Sequence, residues 1–474
     1  MLYRLLPSIA VFGLLSACAG VPDLGPKPVP AAAESFATST SFAETAGAWP
    51  VEGWWQGFGD PGLDRLIDEG LKGSPDIAVA AARVRAADAL AQQAGAALGP
   101  RLGVEAGAGG VQQSKTMGIP PQFVPEGIQD TGHVAATFAF DLDLWGRNRA
   151  ALAAATSEAE AARVDEAQAR LMLTTGIASA YADLAGYYDA LDVAKEALRI
   201  RGASAQISTD RTRAGLDNMA SQRQAESRTA SARGDIVALE EAIALTRNRL
   251  AALVGAGPDR GLAIARPQLA ASQADLPPSA GIDLVGRRPD IVAARLRAEA
   301  SAKRIDVARA DFYPNISLSA LVGFQSLGLS NLFDAGSKYG NGGAAISLPI
   351  FDSGRLQGRY RGARADYDVA VATYDRTLIA ALRDIADITQ SRAATTRQLA
   401  DRREALRTAS EAANLAGLRY RAGLSNQLAQ LTAEDSMVAL SRAVADLEAR
   451  KRTLDIALIR ALGGGYHAQT PTGE

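Results

Sequence analysis

Cysteine, histidine, methionine and aromatic residues are all scarce in this chain of 474 residues. The single cysteine, Cys18, excludes an intramolecular disulfide framework. The two histidines, His133 and His467, stand too far apart to form a catalytic triad or a metal site. Methionines number five and are unpaired, which argues against a dedicated copper path. Aromatics at 5% and charged residues at 22% suit long helices packed through alanine better than aromatic-rich cores. The formal charge of −2, with no basic stripe, gives no case for nucleic acid. No run of about 20 apolar residues occurs in the mature chain, so a transmembrane helix is excluded. Gly107, Gly109 and Gly110 sit in a strand pattern and open no helix, so they are not a phosphate cradle. No catalytic constellation is present; neither enzymatic activity nor a cofactor is expected.

What is there begins with a targeting segment. Arg4 precedes an apolar run from Leu5 to Leu15, followed by Leu15-Ser16-Ala17-Cys18. This resembles a bacterial lipobox, which implies a signal peptide over 1–17, cleavage before Cys18 and lipid on its sulfur. Each buried CH₂ of an acyl chain contributes about 0.8 kcal/mol, so several chains anchor firmly. Ala19 in place of Asp favours the outer membrane, again by resemblance. Residues 18–50, rich in Pro, Ala and Ser from Gly20 onward, read as a lipid-anchored extended tether.

The rest of the chain is said twice. Ser74-Pro75-Asp76-Ile77 is answered by Arg288-Pro289-Asp290-Ile291, 214 residues on. Trp145-Gly146-Arg147 aligns with Ser353-Gly354-Arg355 and Arg213-Ala214-Gly215-Leu216 with Arg421-Ala422-Gly423-Leu424, both at 208. The second copy has therefore lost six residues between Pro314 and Gly354. Such a period is too long for a solenoid unit, so each copy is a substantial module. The expected division is a first repeat over 51–260, a second over 261–464, and a tail over 465–474.

Each copy changes its hydrophobic period from 3.6 to 2 and back. Pro75 and Pro289 suit the first turn of a helix, and Pro100 and Pro314 follow its end. Then Val134, Ala136, Phe138, Phe140, Leu142 and Leu144 alternate with His133, Thr137, Asp141 and Asp143. Ile316 to Phe324 alternates likewise, and Leu102–Ala108 and Ala344–Ile350 do so more weakly. These read as two hairpins, over about 101–145 and 315–352, with loops Val111–Gly132 and Ser326–Asn341. Each strand approaches the ~9–11 residues that a tilted strand needs to cross a bilayer. Four strands cannot close a membrane barrel, whose smallest form has about eight, and open edges are not tolerated in lipid. Two copies would give a filled barrel and three a barrel with room for a pore.

From Gly146 to about Ala214, and from Gly354 to about Ala422, no proline interrupts a helix of roughly 100 Å at ~1.5 Å per residue. Ile177, Leu184, Leu191 and Leu198 are seven apart, as are Val371, Leu378 and Ile385, then Leu399 and Leu406 after an interruption at Arg392. Such heptads demand packing against other helices. The chain turns at Ala-Gly-Leu and returns over Asp217–Val254 and Ser425–Leu462.

Taken together, Trp55, Phe58-Gly59-Asp60-Pro61, Leu63, Leu66-Ile67, Arg288-Pro289-Asp290-Ile291, Leu348-Pro349-Ile350-Phe351-Asp352, Gly354-Arg355 and Tyr420-Arg421-Ala422-Gly423 resemble the TolC-type outer-membrane efflux family. The lipid-anchored, NodT-like branch is the most similar. The resemblance implies an α+β membrane protein: a homotrimer with a twelve-stranded β-barrel in outer-membrane lipid, continued by a twelve-helix α-barrel. It implies the exit duct of a tripartite pump for small molecules in a Gram-negative bacterium, joined to a periplasmic adaptor and an inner-membrane RND-type transporter.

By the same resemblance, Arg213, Ala214, Gly215 and Leu216, with Arg421, Ala422, Gly423 and Leu424, form the helix tips that meet the adaptor. Asp217, Tyr420 and Arg421 are candidate gate contacts, although Asp217 is equally a helix N-cap candidate. Many members carry acids just beyond the second tip; here Gln427, Ala429, Gln430 and Thr432 stand there instead. The first acids are Glu434 and Asp435, which would shift a charged ring deeper by about a turn. A secretion exit channel for proteins or peptides, and a non-transporting coiled-coil scaffold, are the alternatives.

Overall fold

In the computed structural model, the described residues are 20–468 apart from 39, 41, 43–46, 117, 271–274 and 279. The expected signal peptide over 1–17, Cys18 and residues 469–474 lie outside them. The helices come in matched sizes: α1 (Pro61–Gly73) and α2 (Pro75–Ala96), then α3 (Arg147–Arg213) and α4 (Met219–Leu253). After the short α5 (Pro258–Leu262) and α6 (Ala280–Arg287) follow α7 (Pro289–Ala310), α8 (Arg355–Arg421) and α9 (Gln427–Ala461). α2 and α7 have 22 residues each, α3 and α8 have 67, and α4 and α9 have 35, so the two copies are equivalent in their helices.

The described residues fall into two compact units. One comprises the chain up to Pro30, Val84–Ala162 and Ala294–Tyr374. It holds one antiparallel sheet of β1 (Arg101–Val111), β2 (Gln129–Asp141), β3 (Asn315–Leu327) and β4 (Lys338–Ser347) in that order. Both hairpins have shorter loops than their alternation suggests, because β2 begins at Gln129 and β4 at Lys338. The hairpins also join, through β2 and β3, with Phe138 opposite Ala320 and Val134 opposite Phe324. One face of the sheet carries Leu102, Phe138 and Ala320 in one row and Val104, Ala136 and Val322 in the next. Leu102, Val104 and Val322 are 80%, 74% and 68% exposed, so this apolar face has no protein cover in the chain. The opposite face carries Glu105, His133, Thr137, Gln325 and Asn341. β1 and β4 are the two edges, and their glycines (Gly103, Gly107, Gly109 and Gly110; Gly340, Gly342 and Gly343) leave the backbone accessible.

In the same unit, Ala298 and Ile305 of α7 pack on Tyr367 and Val371 of α8. The segment expected to be a tether is strapped there: Arg364 donates to the Gly25 carbonyl at 3.2 Å and to that of Pro26, and the Tyr367 hydroxyl donates to the Pro28 carbonyl at 2.9 Å. At the end of the sheet, Trp145 stacks on Tyr313 with centroids 4.8 Å apart and donates to the Pro314 carbonyl at 2.8 Å.

The second unit comprises Ala31–Arg83, Arg163–Ala293 and Asp375 onward. Its core joins Trp54, Phe58, Leu63, Leu66 and Ile67 to Ile177, Tyr181, Leu184 and Leu191 of α3, Leu250 of α4, and Ile456 and Ile459 of α9. The heptad column of the sequence is thus the buried one, although Leu198 is only half-buried. Asp60 caps α1 through the Gly62 amide and also accepts from the Tyr181 hydroxyl at 3.0 Å and the Gln268 amide at 2.6 Å. Burial and the neighbouring Asp60 carboxylate push the Tyr181 hydroxyl well above its ordinary value. Among the described residues, no helix is long and apolar enough to cross a membrane.

Candidate functional site

The tips are two copies of one turn. α3 ends with the Leu216 amide bonded to the Arg211 carbonyl at 2.8 Å and that of Gly215 to Thr212 at 3.0 Å. α8 ends with Leu424 bonded to Arg419 at 2.9 Å and Gly423 to Tyr420 at 3.0 Å. This pair of bonds needs a left-handed residue, which Gly215 (φ 74°) and Gly423 (φ 72°) supply without steric cost. Asn218 and Asn426 then cap α4 and α9, accepting from the Ser221 and Ala429 amides at 3.0 Å each. The N-cap expected at Asp217 is therefore displaced by one residue, because Asp217 is engaged elsewhere.

Asp217 joins the two tips. It accepts from the Tyr420 hydroxyl at 2.6 Å and from Arg211 Nε at 2.9 Å. The Arg211 guanidinium also lies over the Tyr420 ring, 4.7 Å from its centre, and Tyr420 is 1% exposed. Burial opposes ionisation of Asp217, but hydrogen bonds from Tyr420 and Arg211, with the guanidinium charge, outweigh it and hold the carboxyl below the usual range. Burial first, and then the same contact, push the Tyr420 hydroxyl up to about 12. The repeat makes this latch one-sided, since Ser425 stands where Asp217 would recur and Thr212 where Tyr420 would.

Arg421 does not take part. It is exposed and, among the described residues, forms no ion pair; Arg211, unnoticed in the sequence, fills the place proposed for it. Arg213 pairs with Asp210 at 3.1 Å on the surface. Leu216, Met219, Leu424 and Leu428 are 64%, 54%, 72% and 56% exposed, an apolar cap on the tips.

Neither deeper acid stands free. Glu434 is 7% exposed and accepts from Ser204 Oγ at 2.7 and 2.9 Å and from Gln430 Nε2 at 2.7 Å. Asp435 pairs with Arg201 at 3.2 Å and Arg228 at 3.1 Å. A shifted ring of open carboxylates is corrected by this geometry: α9 turns Glu434 into its seam with α3, and two guanidiniums neutralise Asp435. Among the described residues, no group of three or more His, Cys, Asp or Glu side chains converges to hold a metal ion.

The outer membrane efflux protein family matches residues 66–256 and 283–464. The chain belongs to that family. The fusaric acid resistance protein FusA of Burkholderia cepacia is 35% identical over 375 residues, covering 75% of this chain and 68% of FusA. The multidrug resistance outer membrane protein MdtP of Escherichia coli K12 is 32% identical over 431 residues, covering 89% of this chain and 88% of MdtP. The outer membrane protein VceC of Vibrio cholerae superposes with a TM-score of 0.84 at 41% identity, covering 88% of this chain and 100% of VceC. This outer membrane efflux protein has the α+β chain fold of the family's channels, which are not enzymes.

Some tip residues of this efflux protein were legible and others were not. Ala190, Ala197 and Ser204 are seven apart and buried, and Arg211, half-buried, continues their column to the tip, a signal that could have found Ser204 and Arg211. Arg201 and Arg228 carry no comparable sign.

Proposed function

We propose that the chain is one third of a homotrimeric duct in outer-membrane lipid, the exit part of a tripartite pump with a periplasmic adaptor and an inner-membrane RND-type transporter. The observation that carries this reading is a four-stranded sheet with an uncovered apolar face and two unpaired glycine-rich edges. A single such sheet leaves edges that lipid cannot satisfy. Pairing β4 of one copy with β1 of the next closes twelve strands and turns the face bearing Glu105, His133, Thr137 and Gln325 into a wet lumen. Trp145 and Tyr313 suit the lipid–water boundary at the sheet's end. Conduction is passive in this reading, and the resistance phenotypes in the names of MdtP and FusA favour small toxic compounds as cargo. The expected division into two repeats over 51–260 and 261–464, and a lipid-bearing Cys18 ahead of a tether, are part of the same proposal.

The exposed leucines of the tips meet the adaptor, and the Asp217–Tyr420–Arg211 contact holds the duct closed. The test is single-channel recording from the purified protein in planar bilayers. A trimer with low conductance is expected, rising on Tyr420→Phe or Asp217→Asn. A soluble, monomeric and non-conducting product would favour the scaffold reading instead.

A further inference from the structure

The seam between α3 and α9 changes character along its length. Away from the tips it is apolar: Ile177, Leu184 and Leu191 share a core with Ile456 and Ile459, and the backbone at Gly186 approaches Ala449 closely. Over the last turns before the tip it is polar. Ser204 and Ser208 of α3 are 3% and 0% exposed, and Gln427, Gln430 and Glu434 of α9 are 4%, 5% and 7% exposed. Gln427 and Glu434 are seven apart and Ser204 and Ser208 four apart, so each set shares one helix face.

The polar stretch is incompletely satisfied. Gln430 Nε2 donates to Ser204 Oγ at 3.1 Å and to Glu434, and Ser204 donates to Glu434. Yet Gln430 Oε1, Ser208 Oγ and both amide atoms of Gln427 are buried with no hydrogen-bond partner among the described residues. Among the described residues, Glu434 has no ion-pair partner, so its carboxylate is held by neutral donors alone. A buried carboxylate without a cation is costly, and a partly satisfied buried network is costlier than an apolar one. Exposure to water relieves both costs. The apolar stretch gains nothing from wetting, because its burial is lost on opening.

Resting on the reading of the tips as a gate, we propose that Ser204, Gln430 and Glu434 form an inner latch about two turns behind Asp217, in which buried Glu434 favours opening and its donors oppose it. The outer latch holds the tip; the inner one is biased to release once the outer breaks. The seam then opens as far as its polar stretch and stops at its apolar one.

This assigns opposite signs to two neighbours. Glu434→Gln removes the buried charge, keeps the acceptor for Ser204 and offers a donor to the orphaned Gln430 Oε1. It stabilises the closed tip, and open-state occupancy falls about fivefold, the effect of roughly one net hydrogen bond. Ser204→Ala leaves the carboxylate with one donor fewer, and occupancy rises by about the same factor. The experiment is single-channel recording of the full trimer carrying each change, with thermal melting to show that the fold is kept. Ser204→Cys, a much weaker donor, stands in where the alanine variant fails to assemble. Opposite shifts support the latch. Shifts of the same sign, or none, overturn it, because a merely structural contact would loosen with either change. Tyr420→Phe is recorded in parallel. If it raises conductance while the inner variants fail to diverge, only the inner latch falls; if it changes nothing while the inner pair diverges, only the outer one does.

Discussion

Arg392 donates Nε to Asp455 at 2.9 Å, and this pair explains the one break in the heptads of α8. Asp455 is 2% exposed, and burial raises its carboxyl above the usual range despite the opposing guanidinium. Arg392→Leu would restore the hydrophobic column yet strand a buried carboxylate, a loss of about 3–5 kcal/mol. The double variant Arg392→Leu with Asp455→Leu should recover most of that loss. Chemical denaturation of the detergent-purified protein, followed by helical circular dichroism, measures both. The single variant's deficit should also shrink in acid, as Asp455 protonates.

Local rules carried much of the fold. Pro75 and Pro289 open helices, Gly215 and Gly423 end them, and the heptads of Ile177 and Val371 are buried, because each needs only a few neighbouring residues. The pairing of β2 with β3 was not legible, since the strands that meet are separated in the chain by all the helices from α3 to α7, and nothing local records it. The site divided in the same way. Adjacent Asp217 and Asn218 both suit an N-cap, and only the distant Tyr420 decides between them. Glu434 read as a pore acid because the partner that draws it into the seam with α3, Ser204, is 230 residues away in sequence.

Asp60 gathers three donors in a buried position, from Gly62, Tyr181 and Gln268. Asp60→Ala leaves the Tyr181 hydroxyl and the Gln268 amide without that acceptor, and should cost about 2–3 kcal/mol. Tyr181→Phe removes one donor and leaves the other two in place, at about 1 kcal/mol. The ratio of the two losses in thermal melts is the check; equal losses would mean that Asp60 acts through Tyr181 alone.

At the tips, an added Cβ at Gly423 would meet no atom within 4 Å, so only its φ of 72° resists substitution. Gly423→Ala should therefore cost about 1 kcal/mol through backbone strain. Gly423→Asn should cost less, since asparagine tolerates the left-handed region better. Melting of the three proteins gives the order Gly, Asn, Ala; a reversed order would point to contacts beyond the chain.

The strap offers a separate test of the tether. Removing the Arg364 and Tyr367 donors with Arg364→Ala and Tyr367→Phe frees the carbonyls of Gly25, Pro26 and Pro28. Limited proteolysis between Gly25 and Pro30 should become about tenfold faster, because cleavage follows the opened population. Cys18→Ala, by contrast, should abolish acyl mass on the purified chain and leave the strap's protection unchanged.

The outer latch has a calculable pH window. Asp217 has a carboxyl held below its ordinary value, so its contribution is complete above about pH 4, the free aspartate range, and is lost as pH falls through the lower folded value. Tyr420 is raised to about 12, so its proton is present below about pH 10 and is lost only as pH rises through that higher value. Between these limits neither group titrates, and the latch should be flat with pH. Single-channel conductance of the wild type should accordingly hold steady from about pH 8 to about pH 5 and climb only in stronger acid. Asp217→Asn removes the titrating carboxylate, and should conduct more at neutral pH while losing that acid limb. A wild-type rise already between pH 8 and 5 would assign the closure to some other titrating group.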